Sequence, residues 1–126
     1  MAFSNPEIIA VLNKIKPPYN VNTLSINAAL EVLSSNERIQ LQVSKIKQER
    51  ELMIKQLMQL EIVKLVYPSD TNFLLVKFLN EELVFKTLLK NGIVVRNRAS
   101  QIENALRITI GTKSENEQLI NLLKEI

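Results

Sequence analysis

The chain has 126 residues, the size of one domain, and its 46% hydrophobic and 23% charged content is globular usage that excludes a disordered chain. It has no His and no Cys, which excludes imidazole acid–base catalysis, Ser-His-Asp and Cys-His nucleophiles, disulfides and Cys/His zinc sites. Gly92 and Gly111 are the only glycines, too few for a Gly-rich phosphate loop, and a net charge of +3 with no basic run longer than two argues against a nucleic-acid partner.

From the N-terminus, Ser4-Asn5-Pro6-Glu7 reads as a helix start. Asn5 or Ser4 caps it, Pro6 fits the first turn, and Glu7 complements the positive end of the dipole. The helix carries Ile8, Ile9, Leu12 and Ile15 and must stop before Pro17-Pro18, since a proline ring excludes continuation. Pro17 to Asn22 reads as a stiff extended segment in which Tyr19 projects outward or packs. Asn22 caps a second helix that runs to about Ser34. No apolar run approaches the ~18 residues of a membrane span. The first residues have neither a basic nor an apolar leader region, so a cytoplasmic location and no membrane partner are expected.

After the break at Ser34-Ser35-Asn36, the longest helix is expected from Asn36 to Leu60. Ile39, Val43, Ile46, Arg50, Met53, Leu57 and Leu60 follow the alternating spacing of a packed seam, which Arg50 interrupts. A long amphipathic helix lying on its own domain fits better than a coiled coil. Val63 to Tyr67 and Phe73 to Phe78 then read as an antiparallel strand pair, joined by the turn-forming Pro68 to Asn72.

Asn80 caps a helix to Lys90 with Leu83, Val84, Leu88 and Leu89 expected inward, and Gly92 sits where left-handed φ is least costly. Ile93 to Arg96 is expected as the next strand, making residues 73–96 a right-handed β-α-β crossover. A polar loop from Asn97 leads to Leu106-Arg107-Ile108-Thr109-Ile110, whose alternation puts the three apolar residues on one side. Thr112 or Ser114 caps the last helix, with Leu119, Ile120, Leu122 and Leu123 as its buried stripe. The expected fold class is α+β: N-terminal helices including one long helix, then β-β-α-β-β-α with helices covering one face of a small sheet.

Arg107 is the residue that needs explaining, a cation in mid-strand on the side away from the core. A planar guanidinium there suits bidentate capture of a carboxylate or phosphate, and a surface arginine on an open sheet face is the plainer reading. Arg96 is the second candidate and Arg98 shares its parity. Asp70 and Asn72 read as turn formers, Lys64 and Lys77 as outward strand positions. Glu81, Glu82, Glu115 and Glu117 belong to first helical turns and form no acid–base pair.

Five segments occur in order and at fitting intervals: Phe3-Ser4-Asn5-Pro6-Glu7-Ile8-Ile9, Lys16-Pro17-Pro18-Tyr19-Asn20-Val21-Asn22, Tyr67-Pro68-Ser69-Asp70-Thr71-Asn72-Phe73, Gly92-Ile93-Val94-Val95-Arg96 and Leu106-Arg107-Ile108-Thr109-Ile110-Gly111-Thr112. Together they resemble the C-terminal portion of the histidinol-phosphate aminotransferases, fold-type-I enzymes that depend on pyridoxal phosphate. The resemblance implies amino transfer between glutamate and imidazole-acetol phosphate in histidine biosynthesis, giving histidinol phosphate. It implies that Arg107 grips the substrate's anionic end and that Arg96 is a second phosphate-binding arginine.

It further implies that residues 1–126 are the small domain, with 1–35 as linking helices and 36–126 as the α+β core. The cofactor-binding domain and the Schiff-base lysine are then absent, no catalytic residue or cofactor ligand lies in this chain, and the chain alone is inactive. A homodimer is implied for the complete enzyme. One departure is Gln101-Ile102-Glu103-Asn104-Ala105, where many members carry a Gly- or Cys-containing loop. Two other classes stay open: a related aminotransferase or decarboxylase for another phosphorylated amine, and a non-catalytic anion-binding or interaction module assembled through the 36–60 helix.

Overall fold

The computed structural model describes residues 3–16 and 21–126. The expected Pro17-Pro18 segment and Tyr19 lie outside the described residues. The chain divides into two compact units, residues 1–39 and 40–126.

In the first unit, α1 (Pro6–Ile15) and α2 (Thr23–Ser34) begin as the sequence predicts. Asn5 Oδ1 accepts the Ile8 amide at 3.0 Å, and Asn22 Oδ1 accepts the Ser25 amide at 2.8 Å. Each cap satisfies one of the orphan donors of a helix start. Neither helix has a buried residue, and apolar side chains such as Ile15, Leu24 and Leu33 are exposed.

α3 (Asn36–Leu57) enters the second unit, where Arg50, Met53 and Leu57 are its buried positions. It ends one turn before the expected Leu60. The last residues tighten into i→i+3 bonds, Leu60 N to Leu57 O at 3.1 Å and Val63 N to Leu60 O at 3.0 Å, which turns the chain into the sheet.

Four strands follow, β1 (Val63–Val66), β2 (Phe73–Phe78), β3 (Arg96–Asn97) and β4 (Ala105–Thr109), in the spatial order β1-β2-β4-β3 with every pair antiparallel. Leu74, Val76 and Phe78 from β2 and Leu106 and Ile108 from β4 form the inner face. Met53 and Leu57 of α3 join them, with Val84 and Leu88 of α4 (Glu81–Lys90) and Leu119, Ile120 and Leu123 of α5 (Lys113–Leu123). All eleven of the largest fully buried side chains belong to this second unit, so its stability is carried here, at about 1.5–3 kcal/mol for each such side chain. The α+β arrangement with helices on one sheet face is as the sequence predicts.

Three details differ. Of the expected third strand, Ile93 to Arg96, only Arg96 joins the ladder, and Asn97, expected in the following loop, joins it too. Gly92 takes φ +78°, its amide donates to Leu89 O at 3.1 Å, and the Ile93 amide donates to Leu88 O at 2.9 Å. That pair of bonds is the Schellman closure, so the start of the β-branched run is consumed in ending α4. The crossover is also split: β2 and β3 run parallel, but β4 lies between them. On α4, Val84 and Leu88 are buried while Leu83 and Leu89 are half-exposed. The inward stripe follows i, i+4 spacing, and the other two leucines fall outside it.

α5 starts on a capping box. Glu115 Oε2 accepts both the Thr112 amide and its hydroxyl at 2.7 Å. A Cβ at Gly111 would meet that oxygen at 2.8 Å, so a side chain there would push the Glu115 carboxylate out of the cap. The Thr112 amide and hydroxyl hold the Glu115 carboxyl below its ordinary pKa. A lowered carboxylate stabilises the fold above its unfolded pKa, and that contribution is lost as pH falls through the lowered value. Glu115→Gln keeps the capping geometry and removes this titration. Urea unfolding of the two proteins is expected to show wild type ahead at neutral pH and the gap closing in acid; a gap independent of pH would exclude this role.

Candidate functional site

Strand alternation decides what the open sheet face carries. In β4, Leu106 and Ile108 are buried inward, which leaves Arg107 and Thr109 on the other side. The register pairs Arg107 with Leu75 of β2 and with Arg96 of β3. Directly opposed residues share a face, so Arg96 and Arg107 stand side by side on it, as neighbouring Cβ atoms about 4.5–5.5 Å apart. Two opposed cations are mutually destabilising unless an anion lies between or beside them.

No described carboxylate supplies that anion. The ion pairs among the described residues are Lys77–Glu103 at 3.6 Å, Lys86–Glu82 at 2.7 Å and Lys113–Glu117 at 3.8 Å, and none involves either arginine. Arg107 is half-buried, and its Nε is buried with no hydrogen-bond partner. Arg50 Nε is in the same state, so the orphaned nitrogen alone does not mark a site; the opposed cation pair without a carboxylate does. Arg96 is exposed. The face therefore offers two planar donor forks and no internal partner, which suits a carboxylate or phosphate.

Arg98 is not brought into the pair. Its Nη1 donates to Gln101 Oε1 at 2.9 Å, and its amide donates to Ala105 O at 2.9 Å, so it closes the loop before β4. In that loop Asn104 takes φ +59°, a left-handed position that Asn tolerates and Gly usually supplies. Asn104 O accepts the Phe78 amide at 2.9 Å, which ties the loop to the end of β2. The segment Gln101 to Ala105 thus reaches β4 without a glycine. Lys64 is exposed and Lys77 points outward to Glu103, as predicted.

Three residues that sequence reasoning left without a role support this sheet from the α3 side. Arg50 Nη1 donates to Thr71 O at 2.9 Å, pinning the turn that precedes β2. Asn116 Oδ1 accepts the Gly111 amide at 2.9 Å, while its Nδ2 donates to Gly111 O at 3.2 Å and to Glu49 Oε2 at 2.9 Å. The signals were present: Arg50 breaks an apolar seam, and Asn116 falls on the helix face of Leu119, Ile120 and Leu123. The turn itself is built by Ser69 and Thr71 rather than by Asp70. Ser69 Oγ donates to Phe73 O at 2.6 Å.

A groove of about 730 Å³ lies between α3 and residues Ile110–Lys113, and neither site arginine lines it. The described lysines do not fit a pyridoxal phosphate site. A Schiff-base amine needs a desolvated pocket to lower its pKa, whereas every described lysine but Lys77 is exposed and Lys77 is paired.

Residues 1–123 match the family model for aminotransferases of class I and II. Over 126 residues the chain is 49% identical to the histidinol-phosphate aminotransferase of Christiangramia forsetii, covering 98% of this chain and 36% of that protein. It is 46% identical to the enzyme of the same name from Caldanaerobacter subterraneus subsp. tengcongensis, again spanning 36% of its length. In structure it is similar to the histidinol-phosphate aminotransferase of Clostridium acetobutylicum, with a TM-score of 0.86 at 28% identity over 96% of this chain and 38% of that one. It is also similar to the L-threonine-O-3-phosphate decarboxylase of Porphyromonas gingivalis, with a TM-score of 0.74 at 25% identity over 96% of this chain and 39% of that one. With the family model matched over residues 1–123 and the same fold in solved relatives, the chain belongs to the class I and II aminotransferases.

Proposed function

We propose that this chain is the substrate-reading small domain of a histidinol-phosphate aminotransferase. The carrying observation is the opposed pair Arg96 and Arg107, on one sheet face with no described carboxylate partner. The complete enzyme exchanges an amino group between glutamate and imidazole-acetol phosphate. Glutamate presents a carboxylate where histidinol phosphate presents its phosphate, and an always-charged planar group binds both. Arg107 takes the anion in both half-reactions, and Arg96 adds contacts to the larger phosphate.

Pyridoxal phosphate and the lysine that holds it belong to the part of the relatives' length that these residues do not span. The enzyme works as a homodimer in the cytoplasm, with no nucleic-acid or membrane partner; no described helix is long and apolar enough to cross a membrane. Residues 1–35 link to the cofactor domain and residues 36–126 form the small-domain core. The isolated chain mixed with pyridoxal phosphate is expected to show no dialysis-resistant visible absorption band. A stoichiometric one would place cofactor binding here.

The likeness to a phosphothreonine decarboxylase favours one second reading, an enzyme for another phosphorylated amine. A substrate panel on the complete enzyme separates them. Highest kcat/KM on histidinol phosphate with 2-oxoglutarate supports the proposal, and preference for a different phosphorylated amine, or release of carbon dioxide, supports the second.

A further inference from the structure

An arginine with no acceptor on the protein still needs something to fix the plane of its fork. The β2–β4 register supplies a neighbour: Leu75 lies directly opposite Arg107, and Phe73, paired with Thr109, is its diagonal neighbour on the same face. Diagonal positions are within reach of aromatic and long side chains. The Arg107 Cζ lies 5.1 Å from the centroid of the Phe73 ring, inside cation–π range.

The backbone at Phe73 is itself fixed. Its carbonyl accepts from Ser69 Oγ at 2.6 Å and from Thr71 Oγ1 at 3.1 Å, and its amide donates to Thr71 Oγ1 at 3.3 Å. Thr71 is held in turn by Arg50. The ring is a half-buried platform on a pinned strand start.

We infer that Phe73 is a positioning residue that sets the Arg107 guanidinium for the substrate anion; this rests on the reading of Arg107 as the anion-binding group. The choice of a ring has a chemical reason. A carboxylate neighbour would occupy the fork and neutralise its charge, whereas a ring face attracts the cation and leaves the two Nη groups free to donate. Holding the fork before substrate arrives removes an ordering cost from binding. The benefit falls equally on bound substrate and transition state, so it is read in KM rather than kcat.

The test uses the complete enzyme with Phe73→4-fluoro-, 3,5-difluoro- and 3,4,5-trifluorophenylalanine. The series nearly preserves ring size while draining charge from its face. KM for glutamate and for histidinol phosphate is expected to rise step by step to about five-fold, with kcat within about two-fold and Tm unchanged. In an Arg107→Ala background the trend vanishes. If Arg107→Ala raises KM but the fluorination series is flat, Phe73 only packs and the inference fails alone. If Arg107→Ala itself leaves KM unchanged, the anion-binding reading fails with it.

Discussion

Arg107→Ala is expected to lower kcat/KM for both glutamate and histidinol phosphate by about 10²-fold or more in the complete enzyme. The magnitude comes from two charge-assisted hydrogen bonds made by one planar fork, each contributing about 1.5–3 kcal/mol. At the lower end the pair is worth about 3 kcal/mol, which is about 10²-fold. Arg107→Lys restores the charge but not the fork and should recover only part of the loss. Arg96→Ala should weaken the phosphate substrate more than glutamate, because a phosphate presents more charge and a third oxygen. Steady-state kinetics on both substrates decides the matter. Unchanged values for Arg107→Ala would remove it from the site.

The position of Arg107 was legible in the sequence because strand alternation needs only five residues to declare itself. Leu106, Ile108 and Ile110 fix the inner face, and Arg107 must then point away. Its juxtaposition with Arg96 was less legible. The sequence predicts Arg96 at the end of a four-residue strand but not which strand it faces, and it pairs with Arg107 across β3–β4. Register between strands is a non-local property, and a short β-branched run does not reveal that its first residues serve a helix cap. The helix starts were legible for the opposite reason. Asn5, Asn22, Asn80 and Thr112 each act within three residues of chain.

The supports of the site were the least legible, since they link residues far apart in sequence. Glu49 and Arg50 are adjacent on α3 yet hold two different segments. Arg50 reaches the carbonyl of Thr71, two residues before β2. Glu49 reaches Gly111, just after β4, through Asn116. The two segments are themselves neighbours, because the Ile110 amide donates to Asn72 O at 2.9 Å. One turn of α3 therefore pins the end of the β2–β4 pair that carries Phe73, Thr109 and, two residues further in, Arg107.

Asn116 is the joint in that clamp, and its loss is expected to destabilise the fold about as much as truncating a core side chain. It is buried, and its amide group satisfies the Gly111 amide, the Gly111 carbonyl and one oxygen of Glu49 at once. Asn116→Ala strips three part-buried groups of their partner, one of them a carboxylate. With about 1–3 kcal/mol for each stranded group and partial relief by water, about 2–4 kcal/mol of destabilisation is expected in urea unfolding. Asn116→Asp separates packing from donor chemistry. It keeps the acceptor for the Gly111 amide, but at neutral pH it sets a second carboxylate against Glu49 Oε2 and an oxygen against the Gly111 carbonyl. Protonation restores a donor, so the Asp variant should be as unstable as the Ala variant at pH 7 and regain ground on it in mild acid. If the Asp variant keeps wild-type stability at pH 7 while the Ala variant loses, Asn116 acts through volume alone and the α3 clamp does not depend on its amide.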